Sequence, residues 1–410
     1  MADTDDAVHT ILNLYSSLSY TPPYSHYTIL AAFYLSSTQN KIISLATGTK
    51  CLPTTRFPAR GEALHDSHAE IVARRAALRW FLEEILRYHT LNNSEWIYWD
   101  VTRGKYSLLA GVELNLYISS IPCGDASMRY LTATQNEEMA RLKDLVPNGT
   151  IPGDLLSNNS GISRGRDVYA RLGVLRTKPG RADSPPTICM SCSDKIALWN
   201  VVGIQGALGS RLFTPLYLTS IVIGEVAELD GTMKSTITED CERAFWGRLA
   251  GEIRDLPDGY SVHKPAIHFT TLPFMHSRTQ REKLSPGSSS SNESLCWVAE
   301  RTSFEVLING FKHGVSPKHR LRDKSRPLVC KLSLFQCLNS LHSILQSITN
   351  MKVSQTYHDL KKAEKQYQRV KSVLKDDKAP FSGWIRSGES WESFFVNGEV
   401  LNEVVIQASS

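Results

Sequence analysis

The sequence predicts an α/β layered fold, and three features of its apolar pattern carry that expectation. Runs that read as strands, Lys41 to Leu45, Leu114 to Ser120 and Pro215 to Glu225, alternate with helical stretches. The clearest helix follows Glu70, where Ile71, Val72, Ala76, Leu78, Phe81, Leu82, Ile85 and Leu86 recur at spacings of three and four. The last third reads as two more helices, 327–348 and 353–375, before a Trp-containing tail.

Taken in order, Val8, Ile11, Leu12, Tyr15 and Leu18 mark a short amphipathic helix, followed by an apolar stretch from Tyr27 to Leu35. The strand from Lys41 ends in Ala46-Thr-Gly-Thr-Lys50. The long helix is predicted to begin at about His68, with Ser67-x-x-Glu70 readable as a capping box. Leu114 to Ser120 alternates at period two and runs into Ile121-Pro-Cys-Gly-Asp-Ala126. Residues 148–166 are rich in Gly, Asn and Ser and read as an insertion loop. A basic, Pro-containing loop from Leu175 to Pro186 leads to Met190-Ser-Cys-Ser-Asp-Lys195 and a helix with Ile196, Ala197, Trp199, Asn200 and Val201. Four serines after Pro286-Gly287 make 276–294 the clearest expected flexible segment.

With 410 residues, 41 % of them apolar, the chain can bury a large core, and one enlarged domain over 1–410 is expected. The acidic start, Met-Ala-Asp-Thr-Asp-Asp, is unlike a secretory signal, and no apolar run approaches membrane-spanning length. An intracellular protein is expected, in nucleus, cytoplasm or both. In a reducing compartment, eight scattered cysteines suggest metal ligands rather than a disulfide framework. Net charge is only +5, yet Lys352 to Lys378 holds eight Lys/Arg against four acids. That excess points to a polyanion, a solvated helix face being the plainer alternative.

His68, Cys123 and Cys192 lie 55 and 69 residues apart, so no local zinc finger is implied. Each stands at a loop-to-helix junction, where unpaired N–H groups favour thiolate over thiol. One imidazole and two thiolates hold zinc with the fourth position open for water, as a catalytic site requires. Glu70, one turn into the same helix, is positioned to reach that water. His-x-Glu followed by Pro-Cys is the arrangement of zinc nucleobase deaminases, with the Glu as proton shuttle rather than ligand. Cys189 rivals Cys192 for the third thiolate, and is the one serious fourth ligand for a closed structural site. Cys51, Cys241, Cys296, Cys330 and Cys337 have apolar neighbours and are expected in the core.

Several motifs in order resemble the RNA adenosine deaminases, most closely their tRNA-specific branch, which acts on the adenosine 3′ of the anticodon. They are Thr47-Gly-Thr-Lys50, His65-Asp-Ser-His-Ala-Glu-Ile71, Arg74-Arg75, Pro122-Cys-Gly-Asp-Ala126, Leu175-Arg-Thr-Lys178, Ser191-Cys-Ser-Asp-Lys195 and Trp199-Asn-Val-Val-Gly-Ile-Gln-Gly206. The likeness runs from about residue 25 to the end. It implies a cytidine-deaminase-like three-layer α/β/α core with a mixed sheet, enlarged by a C-terminal helical region. It implies hydrolysis at C6 of adenine to inosine and ammonia, with zinc on His68, Cys123 and Cys192 and Glu70 moving the protons. Thr49, Lys50 and Ala63 would lie near a flipped-out nucleotide, and Asp183 would fill the space it vacates.

The family also holds inositol hexakisphosphate in its core. Positions matching its contacts are Arg74, Arg75, Lys195, Trp199, Lys331, Tyr357, Lys361, Tyr367, Gln368, Lys371 and Trp384. On one helix, Tyr357, Lys361, Gln368 and Lys371 fall within about 40° of one another. Asp66 and Lys178 would form a polar relay from the anion to the zinc site. Two departures stand out: Leu198 replaces an Arg of some relatives, and the sequence after Trp384 diverges.

Deaminase-like sequence begins within about 40 residues of the N-terminus, leaving no room there for a separate duplex-binding module, so tRNA is the expected partner. Arg164, Arg166, Arg171, Arg176 and Arg181 are candidate phosphate contacts. No obligate protein partner is expected, and a monomer suffices. The alternatives are a deaminase of double-stranded or messenger RNA, and a non-catalytic RNA-binding subunit on the same fold; an intact Glu70 argues against the latter.

Overall fold

The computed structural model describes residues 4–134, 162–165, 168–179, 184–185, 187–226, 229–251, 253, 255–342, 344–345 and 355–401. The expected α/β layering is there, as a mixed sheet with helices on both faces. Its eight strands are β1 (Leu30–Ser36), β2 (Asn40–Thr47), β3 (Glu113–Ile118), β4 (Ser220–Ile223), β5 (Ala266–Phe269), β6 (Glu293–Val298), β7 (Glu305–Ile308) and β8 (Phe311–Lys312). In space they run β5-β4-β3-β1-β2-β6-β7-β8. β3, β4 and β5 pair in parallel and every other neighbour is antiparallel. Parallel neighbours need crossovers. Those crossovers carry α3 (Cys192–Val202) and α4 (Gly231–Phe245).

β1 shows how the layers form. Ala31, Phe33 and Leu35 point to one core, and Leu30, Ala32 and Tyr34 to the other, the period-two alternation of a strand buried on both faces. The first core is closed by α2 (Ala69–Leu91), whose Ala69, Ala73, Ala76 and Ala77 are wholly buried and let the helix backbone lie close over β1, β2 and β6. The second is closed by α1 (Thr4–Ser17), the predicted N-terminal helix, through Val8, Ile11 and Tyr15. None of the described helices is long and apolar enough to cross a membrane.

Three local expectations change. Ser67 does not cap α2: Asp66–His68 is a strand paired with Thr49–Cys51, and His68 occupies the cap position without a side-chain cap bond. Tertiary pairing has overridden the local capping signal, which frees both Ser67 and Glu70 from helix-end duty. The stretch 353–375 is two helices, α6 (Tyr357–Ala363) and α7 (Lys365–Lys375), preceded by α5 (Lys331–His342). Glu364 (φ −78°, ψ 75°) breaks the run, and its carboxylate instead accepts from Arg211 Nη1 at 2.8 Å. The serine-rich 276–294 carries Arg278–Leu284 as helix, capped by Ser277, and Ser289–Ser290 as a strand beside His26–Tyr27. Most of the predicted 148–166 loop lies outside the described residues.

Candidate active site

The strand pair Thr49–Cys51 with Asp66–His68 builds the first wall of the site, setting Thr49 opposite His68 and Cys51 opposite Asp66. Gly48 allows that approach. Its φ is +144°, and an added Cβ would lie 2.0 Å from the Ser67 carbonyl oxygen. The following turn, at Ala69, donates its N–H to the Gly48 carbonyl at 3.0 Å, so α2 starts directly beneath the strand.

Two loops bring in the thiols. Cys123 follows β3, and Cys192 is the first residue of α3. They meet closely: Cys192 N–H reaches Cys123 Sγ at 3.4 Å, and Ser193 N–H and Oγ both reach the Cys123 carbonyl at 3.0 Å. Gly124 (φ +109°) makes room, since a Cβ there would meet Ser191 Oγ at 2.2 Å. Ser191 caps α3 by accepting from Asp194 N–H and donating to Asp194 Oδ2 at 2.7 Å. Asp194 is itself fully buried and held by Arg248 at 2.6 Å. That scaffold fixes the Cys192 backbone.

His68 and Cys192 therefore both lie near Cys123, whereas the donor set found with all atoms within 4.8 Å of one another among the described residues is Cys51, Asp66 and Cys189. The His68 ring gives Nδ1 to Asp66 Oδ1 at 2.9 Å, and the Cys123 side chain lies near enough to favour its charged form. Cys123 is held far below the usual thiol range by the neighbouring Cys192 side chain, Lys178 and His68, whereas burial pushes the Cys192 thiol up. Asp66 is 5 % exposed; burial opposes its charge, but the ammonium groups of Lys178 and Lys195 and the His68 ring hold it well below the ordinary carboxylate range. Lys178 donates to Asp66 Oδ2 at 2.9 Å and to Cys192 Sγ at 3.0 Å. The predicted relay residues are thus in contact with one another and with the thiol site.

Glu70 is 1 % exposed, and its Oε2 has no hydrogen-bond partner. Burial first, then the charge of Cys123, raises its pKa. It lines, with His68, Cys123 and Lys178, a cleft of about 1420 Å³. Thr49 and Lys50 line the same cleft, Lys50 Nζ reaching Ser290 Oγ at 2.6 Å. Ala63 does not form part of that wall: it is 2 % exposed and packs with Leu52 and Phe57. Asp183 and the candidate phosphate contacts Arg166 and Arg181 lie outside the described residues, as does the side chain of Arg164. Arg171 is exposed, but Arg176 is 0 % exposed and spends its guanidinium on the carbonyls of Gly165, Val168 and Arg171. It is a loop scaffold rather than a phosphate contact.

Cys51 is not a core cysteine. It lines the cleft, donates to Asp66 Oδ1 at 3.4 Å and approaches His68 Nδ1 at 3.6 Å. The donor atoms of Cys51, Asp66 and Cys189 lie within 4.8 Å of one another, a set compatible with zinc by donor type. Cys189 is turned toward Cys51 and the His65 carbonyl rather than toward Cys123.

Beneath this site the expected anion-binding positions come together. Arg74 stands over the Trp199 ring at 5.7 Å, Lys361 over Tyr357 at 5.5 Å and Lys371 over Tyr367 at 5.8 Å. Gln368 crosses the helix break by donating to the Lys361 carbonyl at 2.6 Å. Burial pushes the Lys331 and Lys371 amines down to about 8 and Arg74 down to about 10, the neighbouring cations adding to the effect. Glu392 is the acid in contact with them, accepting from Lys331 at 3.1 Å and Lys361 at 2.5 Å. Leu198 packs in the apolar cluster with Tyr367 and Val370 and offers no phosphate contact, in line with its departure from Arg.

Sequence reasoning missed three members of this cluster, Lys375, His65 and His358. Lys375 is 9 % exposed, lies 3.9 Å over the Trp384 ring, and has its pKa held well below the usual amine range by burial and by Lys371, Arg386 and Lys361. His65 has a buried Nε2 without a partner and is kept neutral by burial and by Lys331 and Arg75. Neither ring nitrogen of half-buried His358 is hydrogen-bonded, although Nδ1 lies 3.6 Å from Glu392 Oε2. Arg75 Nη2 is likewise buried and unpartnered, although Nε reaches the Val329 carbonyl. The signal was available for Lys375, four residues after Lys371 on the same helix face.

Comparison with known proteins agrees with the geometry. Residues 44–388 match the family model described as adenosine-deaminase (editase) domain. A fission-yeast (Schizosaccharomyces pombe) protein named tRNA-specific adenosine deaminase 1 is 31 % identical over 359 residues, covering 84 % of this chain and 82 % of that protein. The Saccharomyces cerevisiae protein of the same name is 28 % identical, covering 84 % and 80 %. The double-stranded RNA-specific editase Adar of Drosophila melanogaster is 31 % identical over 358 residues, which are 86 % of this chain but 48 % of that protein.

Proposed function

The chain belongs to the adenosine-deaminase (editase) domain family and is a hydrolytic adenosine deaminase, and from that premise we propose that it converts adenosine to inosine in tRNA, at position 37 beside the anticodon of alanine tRNA. The observation that carries the reading is His68, Glu70 and Cys123 at the wall of one open cleft, with the Cys192 N–H on Cys123 Sγ and Glu70 Oε2 unpartnered. Two relatives named for tRNA are covered along most of their length, whereas the duplex editase is covered over about half of its own. Duplex RNA remains the second reading, supported by that 31 % identity.

One imidazole and two thiols suit zinc and leave a coordination position for water. The Cys51–Asp66–Cys189 set suits it less well, because the Asp66 carboxylate is already paired with Lys178 and Lys195 and orients the His68 ring. When bound, zinc supplies the acidity that makes water a nucleophile near neutral pH. Everything else falls to the chain. Glu70, raised in pKa by burial, takes a proton from water and hands it to ring N1, then takes the proton of the new C6 hydroxyl and delivers it to the departing amine. Asp66 fixes the His68 ring by holding Nδ1. Lys178 offsets thiolate charge at Cys192. Because C6 of a stacked adenine cannot reach the wall of the cleft, the target enters unpaired, and an anticodon loop lowers that cost.

The cation cluster fits inositol hexakisphosphate. Lys375 is buried and Arg74, Arg75, Lys195, Lys331, Lys361 and Lys371 are half-buried, and Glu392 and Asp66 are acids they contact. Buried like charges are costly unless an anion compensates them. The unpartnered Arg75 Nη2 and His65 Nε2 are further donors for such an anion.

The test is inosine formation on a full-length alanine tRNA transcript, read by sequencing, for wild type beside Glu70→Ala with a long RNA duplex as competitor. Conversion only beside the anticodon, lost in the variant, is expected. Conversion of the duplex instead would sink the tRNA assignment and leave the chemistry standing.

A further inference from the structure

Cys51 and Cys189 have no part in the reaction above, yet they face each other at the edge of its cleft. Their sulfurs and an Asp66 oxygen lie within 4.8 Å of one another. Cys51 lines the cleft, whereas Cys189 is 5 % exposed behind it. They arrive from different elements. Cys51 ends the strand that bears Thr49 and Lys50, and Cys189 lies in the short segment before Cys192, tied down by its carbonyl accepting from Lys178 N–H at 2.7 Å.

We propose that Cys51 and Cys189 form a peroxide-sensitive thiol pair whose disulfide reversibly switches the deaminase off. The regulatory half rests on the function proposed above. A cleft-borne peroxide transfers one oxygen to the Cys51 sulfur: the O–O bond breaks, Cys51 becomes a sulfenic acid and water leaves. The Cys189 sulfur then attacks that sulfur, the S–S bond forms and the sulfenic oxygen departs as a second water, taking the Cys189 proton. The pair loses two electrons and the peroxide gains them. A disulfide uses only the two sulfurs, whereas a second metal would also need Asp66, which Lys178, Lys195 and the His68 ring already hold.

The bond would tie the strand carrying Thr49 and Lys50 to the segment carrying Cys192. It would also remove the proton that Cys51 donates to Asp66 Oδ1, the oxygen that orients His68. Both changes bear on the cleft without removing any of His68, Cys123 or Cys192.

The experiment treats the zinc-loaded full chain with a small molar excess of hydrogen peroxide, then digests it without reductant for mass spectrometry, with zinc content and inosine formation followed in parallel. A Cys51–Cys189 linked peptide is expected, with zinc retained, activity down at least tenfold, and recovery on adding dithiothreitol. Cys189→Ser should keep basal activity, lose the peroxide response and yield no linked peptide; Cys51→Ser should also yield none. Absence of the linked peptide, or zinc release with Cys123 or Cys192 oxidised first, overturns the pair. A quantitative cross-link with unchanged turnover overturns the switch. The mass readout needs no turnover, so a failure of the thiol chemistry is distinguishable from a failure of the tRNA assignment.

Discussion

The Lys178 ammonium sits 3.0 Å from the Cys192 sulfur while its other contact, Asp66 Oδ2, lies 2.9 Å away. One buried cation thus joins a proposed zinc ligand to the carboxylate that orients another, His68. Replacing it by Met leaves Asp66 with Lys195 and withdraws positive charge from the thiolate. Partners of metal ligands typically contribute 10–100-fold, so Lys178→Met should lower zinc affinity by about that factor and reduce inosine formation at least as much. Competition with a chelator, beside the activity of metal-saturated protein, separates the two effects. Unchanged affinity would mean that Lys178 serves Asp66 alone.

Glu70 is the group whose protonation should govern the acid limb of activity. It must be a carboxylate to take the proton from water, and burial with the nearby Cys123 charge raises its pKa above the ordinary Glu range near 4.3. Activity should therefore rise with pH through a limb centred above that value. Glu70→Gln should lower kcat by about 10²–10⁴ while zinc content stays at wild type, and whatever activity remains should lose the limb. A pH profile of kcat/KM for both proteins decides it.

Much of the site was legible because its residues sit at chain features that announce themselves. His68-Ala-Glu70 precedes a strongly periodic helix, Cys123 follows the Pro that ends an alternating strand, and Cys192 opens the next helix. What could not be read were contacts made across the chain. The pairing of Thr49–Cys51 with Asp66–His68 has no sequence period, yet it cancels the Ser67 cap and draws Cys51 into the cleft. Arg176 looks like a phosphate contact because local sequence cannot distinguish a guanidinium facing solvent from one cradled by three carbonyls. The alternation of strands and helices was enough for the fold class. The spatial order β5-β4-β3-β1-β2-β6-β7-β8 was not in the pattern.

Gly48 should tolerate no side chain. At φ +144° an L residue is strained, and a Cβ would lie 2.0 Å from the Ser67 carbonyl oxygen, so the strand pair beside His68 would have to open. Gly48→Ala is expected to cost more than about 1–3 kcal/mol, the usual penalty for such backbone strain alone. The loss should appear as a lower Tm, with reduced zinc content in whatever folded protein remains. Gly111→Ala is the control: its φ is also positive, at +81°, but nothing lies within 4 Å of the added carbon. It should cost less than Gly48→Ala.

The cation cluster makes a prediction whose sign depends on whether an anion is bound. Burial and neighbouring cations lower Lys331 and Lys371 to about 8, whereas an unfolded Lys titrates near 10.4. Between those values the unfolded chain holds more protons than the folded one, so anion-free protein should gain stability as pH rises from about 8 to about 10.4. Below about 8 the penalty is fully present. Inositol hexakisphosphate favours the charged lysines, so it should raise Tm most at neutral pH and progressively less as they deprotonate. At 100 times its Kd the ligand would add about 2.7 kcal/mol. Lys375→Met sharpens the test, because this lysine is buried against Trp384 beside other cations. The substitution should raise the Tm of anion-free protein and shrink the rise that the anion produces. Thermal melts of both proteins across pH, with and without the polyphosphate, would show it. A variant that melts lower in both states would make Lys375 a packing residue and remove it from the anion site.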